Sequence, residues 1–155
     1  MEKNGKTIMK TKYKFFINEP TAIEINSLIG DEFYKYYCTL DNAICLYYKP
    51  ELEIWDNAGR RGKYFHGYRS EVKSFFLDIY LSSSEKGGQV KCDLTLKDAS
   101  FNKIVKIKES FSKNTQTSIE SAQRIREEYD SSNVDFFIDQ DTLLDVIKIV
   151  ELLSE

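Results

Sequence analysis

The fold of this chain is constrained most by two segments in which apolar residues recur at every second position, joined by a connection that ends in two glycines. In KSFFLDIYL, residues 73–81, and in QVKCDLTLK, residues 89–97, apolar residues occupy every second position. This alternation predicts strands with one apolar and one polar face. The connection between them ends in Gly87 and Gly88, which adopt positive φ angles without steric cost. The two segments therefore predict a β-hairpin in a sheet whose apolar face is covered by other elements.

Further strands are predicted on both sides of this hairpin. A second, Tyr-rich hairpin is expected from residues 33–40 and 43–49, with Leu40 to Ala43 (LDNA) as its turn. The segment 101–109, FNKIVKIKE, alternates apolar residues with lysines and is expected to extend the first hairpin into a three-stranded meander. The remaining predicted strands are residues 12–18, 51–55 and 134–138.

Helical spacing of apolar residues characterises the C-terminal part of the chain. A helix predicted over residues 118–130 has apolar side chains on one face, and Asp139 is suited to cap a second helix that extends through Leu153. Residues 21–28 fit either a short helix or a strand. The predicted architecture is α+β: one domain over residues 1–155, with a mostly antiparallel sheet of about six strands, a hairpin plus a meander, and two C-terminal helices packed on one face.

Composition excludes several classes of protein. A chain of 155 residues buries roughly 70% of the surface of its unfolded state, so neither disulfides nor a metal is required for stability. The contents of 41% hydrophobic and 14% aromatic residues exclude a disordered chain. No window approaches the ~18 apolar residues of a membrane-spanning helix, and residues 1–20 lack the apolar core of a signal peptide. We therefore expect a cytoplasmic protein that does not bind a membrane.

The three cysteines lack the close spacing that is typical of zinc or redox motifs. If LDNA is a two-residue turn, Cys38 faces Cys45 across the second hairpin, at a pair whose wider Cα separation favours a packing contact over a disulfide. Zinc sites use three or four ligands, and one histidine with three scattered cysteines gives no such cluster. The aspartates within residues 135–141 are spaced poorly for a calcium loop. The sequence thus predicts no cofactor and no metal.

Charge is distributed unevenly along the chain. Residues 114–155 contain three basic and ten acidic residues, a formal charge of −7, while the remaining residues hold 19 basic and 15 acidic ones, a charge of +4. An acidic surface of this kind attracts a basic partner and raises the association rate. The candidate contact residues on this acidic part are Glu127, Glu128, Asp141 and Asp145.

The stretch 57–69, NAGRRGKYFHGYR, combines three glycines, four cations and the only histidine of the chain. Its glycines predict a mobile connection between strands. Its arginines and aromatic residues are of the types that dominate protein interfaces. The candidate partner-binding residues here are Trp55, Arg60, Arg61, Tyr64, Tyr68 and Arg69.

Nucleic-acid binding is an alternative function for the same stretch. Cations interleaved with aromatic residues over 59–69 fit RNA or single-stranded DNA, and Lys103, Lys106 and Lys108 would continue the basic stripe on the polar face of the meander. The isoelectric point near 5.4 argues against this alternative, because binding to phosphates is driven by a strong positive charge.

A second alternative is a small enzyme that uses His66. Histidine is the residue type that titrates near neutral pH, and Asp56, Glu71 and Asp78 are the nearest carboxylates in the sequence. The sequence contains no GxSxG, no Walker-type loop, no GxGxxG and no HExxH. The catalytic role therefore depends on a lone histidine, for which no spacing fixes the geometry.

The profile best fits a non-enzymatic protein that binds and neutralises another protein, such as a toxin or an enzyme. Inhibitors and immunity proteins belong to this class, and they use complementary charge for fast, specific association. Abundant Lys, Ile, Asn and Tyr with few Pro and Arg indicate AT-rich coding and hence a bacterial or phage origin.

Overall fold

The computed structural model describes residues 11–155 and the backbone of two short strands, β1 (Glu2–Lys3) and β2 (Lys6–Thr7), which pair antiparallel. The other strands are β3 (Lys12–Phe15), β4 (Leu52–Asn57), β5 (Tyr64–Arg69), β6 (Phe75–Ser84), β7 (Gly87–Leu96) and β8 (Asn133–Phe137). The helices in the described part of the chain are α1 (Ala22–Ile29), α2 (Asp31–Tyr47), α3 (Asp98–Lys106), α4 (Lys113–Tyr129) and α5 (Gln140–Ser154). Strands β3 to β8 form one six-stranded sheet in sequence order. Only β3 and β4 are parallel neighbours, so the prediction of an α+β fold with a mostly antiparallel sheet is confirmed.

The hairpin that the alternating segments predict is the longest strand pair of the sheet. Strands β6 and β7 pair over ten residues each, from Phe75 opposite Leu96 to Ser84 opposite Gly87. Gly87 has a φ of 114°, which a residue with a side chain rarely adopts. The predicted hairpin is therefore confirmed, with its turn at Glu85 and Lys86.

The core lies between one face of this sheet and the helices. The inward side chains of β6 and β7 are almost fully buried and form one cluster with apolar side chains of all five helices, including Leu40 of α2, Ile104 of α3 and Val150 of α5. The side chains of the opposite sheet face do not belong to this cluster. We refer to that face as the outer sheet face.

The predicted second hairpin is wrong, because residues 31–47 form the long helix α2. Its buried residues Tyr37, Leu40 and Ile44 recur at helical spacing, and Asp41 of the supposed LDNA turn lies in the middle of the helix. Parallel strands need a crossover connection that returns the chain to the same end of the sheet. Helices α1 and α2 provide this connection between β3 and β4, which no local sequence pattern shows.

The cysteines are all free thiols. Cys38 and Cys45 lie on α2, seven residues apart, which places them about 10 Å apart along the helix axis. They therefore do not face each other, and the expected packing contact between them is wrong. Cys92 is buried in β7.

The predicted third strand of the meander is also wrong. Residues 98–106 form helix α3, in which Phe101 and Ile104 point into the core. Lys103 and Lys106 therefore lie on a helix, and Lys108 lies in the short helical turn after it. The proposed extension of a basic stripe across the sheet is absent.

The start of helix α5 follows the predicted capping chemistry. Asp139 accepts a hydrogen bond from the backbone N–H of Thr142, 2.8 Å away, and so caps α5 as predicted. The ambiguous segment 21–28 is helical: Thr21 and Glu24 form a reciprocal capping box at the start of α1. None of the helices in the described residues combines the length and the apolar character needed to cross a membrane.

Gly88 fixes the distance between α1 and the sheet. A Cβ atom at this position would overlap the backbone carbonyl of Ile29, the last residue of α1. We expect Gly88→Ala to lower the free energy of unfolding by about 1–3 kcal/mol, because α1 must move away from β7. Urea denaturation measures this change. The control is Gln89→Ala at the exposed next residue, for which a change of no more than about 0.5 kcal/mol is expected.

Candidate functional site

The stretch 57–69 is divided between a loop and a central strand. Residues 64–69 form β5, which pairs with β4 on one side and β6 on the other. Only residues 58–63 connect two strands, and Gly59–Arg61 within them form one helical turn. The prediction that the whole stretch is a mobile connection is therefore wrong for the half that contains His66.

The aromatic candidates of this region face the core. Trp55, Tyr64 and Tyr68 are at most 8% exposed and belong to the core cluster, so they contribute no area to a surface contact. Arg60 and Arg61 are exposed in the loop, and Arg69 points to the outer sheet face. The cationic half of the predicted set is thus at the surface, and its binding role stays a prediction.

The acidic candidates are located on two helices. Glu127 and Glu128 are exposed near the end of α4, and Asp141 is exposed at the start of α5. Asp145 instead accepts hydrogen bonds from the backbone N–H and the hydroxyl of Ser112 and from the hydroxyl of Thr115. Asp145 therefore fixes the start of α4 against α5, and the other three remain available to a partner.

His66 is the centre of a buried polar network between the sheet and α2. Its Nε2 atom lies 2.8 Å from a carboxylate oxygen of Glu53 on β4, and its Nδ1 atom lies 2.9 Å from the Tyr37 hydroxyl and 3.0 Å from the Tyr68 hydroxyl. The Tyr68 hydroxyl also donates a 2.6 Å hydrogen bond to Asp41. His66 is 2% exposed, so these partners replace water at both ring nitrogens.

The interior around His66 is electronegative. Burial raises the pKa of Tyr68 well above its ordinary value, and the neighbouring Tyr37 and Asp41 raise it further. The pKa of Tyr37 is likewise raised by burial and by the charge of Asp41. Both phenols are therefore protonated at neutral pH and act as hydrogen-bond donors.

This network gives His66 a structural environment. The indole of Trp55 stacks on the imidazole, with ring centroids 4.0 Å apart and planes inclined by 16°. Protein groups occupy both nitrogens and one ring face, which leaves no proton-transfer position directed at a substrate. The nearest carboxylates in space are Glu53 and Asp41, whereas the sequence suggested Asp56, Glu71 and Asp78.

Three residues of metal-ligating types meet in the same network, although the sequence predicted no such cluster. Ligand atoms of Asp41, Glu53 and His66 all lie within 4.8 Å of one another. Sequence reasoning missed this cluster because Asp41 was placed in a hairpin turn. The spacing of Tyr37 and Asp41 by four residues on a helix is the signal that would have paired them.

The outer sheet face carries cations stacked on aromatic rings. Arg61 lies 5.2 Å from the ring centre of Tyr80 and donates to its hydroxyl, while Lys91 lies 5.4 Å from the same ring and 5.9 Å from that of Phe137. The side chains of Arg61 and Phe137 remain 55% and 56% exposed. Arg61, Lys91 and Phe137 lie around the ring of Tyr80, which is itself only 7% exposed, and form one patch that we call the Arg61 patch.

Three carboxylates cross the same face on neighbouring strands. Asp78, Asp93 and Asp135 are successive cross-strand partners on β6, β7 and β8. Arg69 pairs with Asp78 at 2.7 Å, and Asn133 donates to both oxygens of Asp93 at 3.0 Å. The outer sheet face is therefore of mixed charge.

A cleft of about 750 Å³ opens at one end of this face. Arg69 and Phe76, whose guanidinium and ring are stacked at 4.2 Å, line it together with Lys12, Lys73 and Lys97. Because Arg69 and Phe76 also belong to the outer sheet face, the cleft continues that face. It is large enough to receive a side chain or a short segment of a partner.

Comparison of the chain with protein-family models, with curated proteins and with solved structures found no significant match in any of the three.

Proposed function

We propose that the chain is a non-enzymatic protein-binding protein that neutralises a partner protein, and that it uses the outer sheet face for this contact. The observation that carries the proposal is the Arg61 patch. Arg and exposed aromatic side chains such as Phe137 concentrate binding energy at interfaces, since they bury large, rigid surfaces. At the other end of its strands, the same sheet face continues into a cleft of a size suited to an anchoring side chain.

The mixed charge of this face favours a protein over a nucleic acid as the partner. The carboxylates of Asp78, Asp93 and Asp135 lie among the cations, and they would repel a phosphate backbone. A protein surface can match both signs, which gives specificity as well as a fast association. The lysines of residues 103–108 do not extend the patch, because they lie on and after α3.

The buried state of His66 argues against a catalytic function at that residue. A general acid or base must lie within hydrogen-bond distance of a substrate proton. His66 contacts only internal partners, which stabilise the packing of α2 on β4 and β5.

The assignment of this chain to a class of binding protein is supported by the sequence alone. An inhibitor or immunity protein, a bacterial or phage origin and a cytoplasmic location are predictions from composition and charge. The acidic surface of Glu127, Glu128 and Asp141 would guide a basic region of the same partner.

Affinity purification with matched variants tests the proposal. The wild type, the double variant Arg61→Glu/Phe137→Ala and the control Arg124→Glu are tagged, expressed in the natural host and purified after nuclease treatment. Arg124 is exposed on α4, so its reversal changes net charge equally without touching the outer sheet face. We expect one stoichiometric protein partner with the wild type and the control, and at least about 30-fold weaker binding by the double variant.

The outcomes separate the rival functions. Inhibition of the purified partner's activity by the wild type but not by the double variant supports the neutralising function. Equal recovery of the partner by all three proteins would show that another surface binds it. Recovery of nucleic acid, and of no protein partner, when the nuclease step is omitted would favour the nucleic-acid alternative.

A further inference from the structure

We propose that the buried network around His66 is a binding site for ferric iron, with Nδ1 of His66, the carboxylate of Asp41 and the hydroxyls of Tyr37 and Tyr68 as ligands. The site is independent of the outer sheet face. Two observations carry the proposal, the spacing of the donor atoms and the charge of the buried groups.

The donor atoms are spaced as metal ligands. Nδ1 of His66 and Oδ1 of Asp41 are 4.0 Å apart, and the Tyr68 hydroxyl lies 3.0 Å from the former and 2.6 Å from the latter. The point midway between Nδ1 and Oδ1 is thus about 2.0 Å from all three atoms, which is the usual length of metal–nitrogen and metal–oxygen bonds. The Tyr37 hydroxyl, 2.9 Å from Nδ1, supplies a fourth donor.

The orientation of His66 directs Nδ1 toward the hydroxyls of Tyr37 and Tyr68, so that it can act as a ligand beside them. Glu53 lies 2.8 Å from Nε2, the nitrogen on the other side of the ring. A carboxylate that accepts the proton of one nitrogen fixes the tautomer in which the other nitrogen carries a lone pair. This carboxylate–histidine arrangement is the one that proteins use behind metal-bound imidazoles.

The network also carries unbalanced negative charge. Among the described residues, His66 is the only cationic group within ion-pair distance of Glu53 or Asp41. Two carboxylates face one imidazole, which contributes at most one positive charge. Buried charges are normally paired or bound to a metal, so a bound cation would offset part of this negative charge.

The total charge of the proposed ligands indicates which metal ion they would bind. Two phenolates and one carboxylate provide three negative charges, which match Fe³⁺, and hard oxygen donors suit a small trivalent ion. Binding breaks the O–H bonds of Tyr37 and Tyr68, forms two iron–oxygen bonds and releases two protons to solvent, with no change of oxidation state. Asp41 retains 30% side-chain exposure, which provides the route of entry.

Titration of the full-length protein with ferric nitrilotriacetate tests the proposal. Bound phenolate gives Fe³⁺ a visible charge-transfer absorption, which surface carboxylates do not produce. We expect this band to saturate at one iron per chain in the wild type and to be absent from the double variant Tyr37→Phe/Tyr68→Phe. The control Tyr64→Phe changes an inward tyrosine on the same strand that lies outside the network, and it is expected to retain the band.

Two further variants protect the test against a folding defect. Asp41→Asn removes one ligand charge at a partly exposed position, and Glu53→Gln alters only the partner of Nε2; each is expected to weaken iron binding about 10–100-fold. Circular dichroism verifies the fold of every variant. A wild type that develops no band, or equal bands in the wild type, Asp41→Asn and the double tyrosine variant, would overturn the proposal.

Discussion

Replacing His66 with alanine is expected to lower the free energy of unfolding by about 3–5 kcal/mol, because the substitution leaves the buried carboxylate of Glu53 without its partner. Glu53 is 6% exposed, so water does not replace the lost hydrogen bond. The substitution also removes the ring on which Trp55 stacks and the acceptor of the Tyr37 hydroxyl. Urea denaturation at pH 7 measures the change.

The control for this prediction comes from the same sequence stretch. Arg60→Ala removes an exposed side chain from the loop before β5 and is expected to change stability by no more than about 0.5 kcal/mol. The comparison separates a structural from a catalytic histidine, since replacing a catalytic group often leaves stability unchanged or raises it. A loss below about 1 kcal/mol for His66→Ala would contradict the buried network.

The elements that the sequence predicted correctly are those with a long uniform pattern. Strands β6 and β7 carry apolar residues at every second position over 75–81 and 90–96, a pattern that a helix cannot bury on one side. The capped helix α5 repeats apolar residues over several turns. In both cases, the local pattern and the tertiary packing favour the same structure.

The three wrongly predicted strands, two in α2 and one in α3, have a common physical cause. Helix α2 contains several tyrosines, which favour strands, and its LDNA segment has the composition of a turn. Helix α3 is short, so the apolar residues Val105 and Ile107 among lysines fit either period. Tertiary contacts decide such cases, because α2 must complete the crossover from β3 to β4.

The network around His66 could not be predicted because its members are far apart in the sequence. Its partners Glu53 and Tyr37 are 13 and 29 residues away, and they meet it only through strand register and helix packing. The pairing of Trp55 with His66 in the sheet sets Glu53 diagonally across from it. Such placement requires knowledge of the register, which the sequence did not provide.

A second large effect is expected on the pH dependence of stability, and it arises from Asp93 on the outer sheet face. Burial, which is the larger cause, and the charge of Asp135 together raise the pKa of Asp93 to about 7. Arg61 lies 3.5 Å away but is more than half exposed, so solvent screens its opposing influence. The unfolded chain releases the proton of this carboxyl near pH 3.9.

The free energy of unfolding is therefore expected to decrease as pH rises from about 4 to about 7. Between about pH 4 and 7 the folded protein holds a proton on Asp93 that the unfolded chain has released. The contribution of this carboxyl to the free energy of unfolding therefore falls as pH rises from about 4 to 7, and it is constant above about pH 7. Asp93→Asn removes the titration. The stability of the variant relative to the wild type should increase by on the order of 3 kcal/mol from pH 4.5 to 7.5, since each pKa unit corresponds to about 1.4 kcal/mol.

Urea denaturation of both proteins across this range measures the difference and cancels the titration of groups that they share. Glu85→Gln, in the exposed turn between β6 and β7, is the matched control, and its difference from the wild type should stay constant. Parallel pH curves for the wild type and Asp93→Asn would show that Asp93 is charged in the folded protein throughout. If the stability of the wild type decreases with pH while that of the variant changes less, the centre of the outer sheet face changes charge near neutral pH. A partner bound there would then meet a surface whose charge depends on pH.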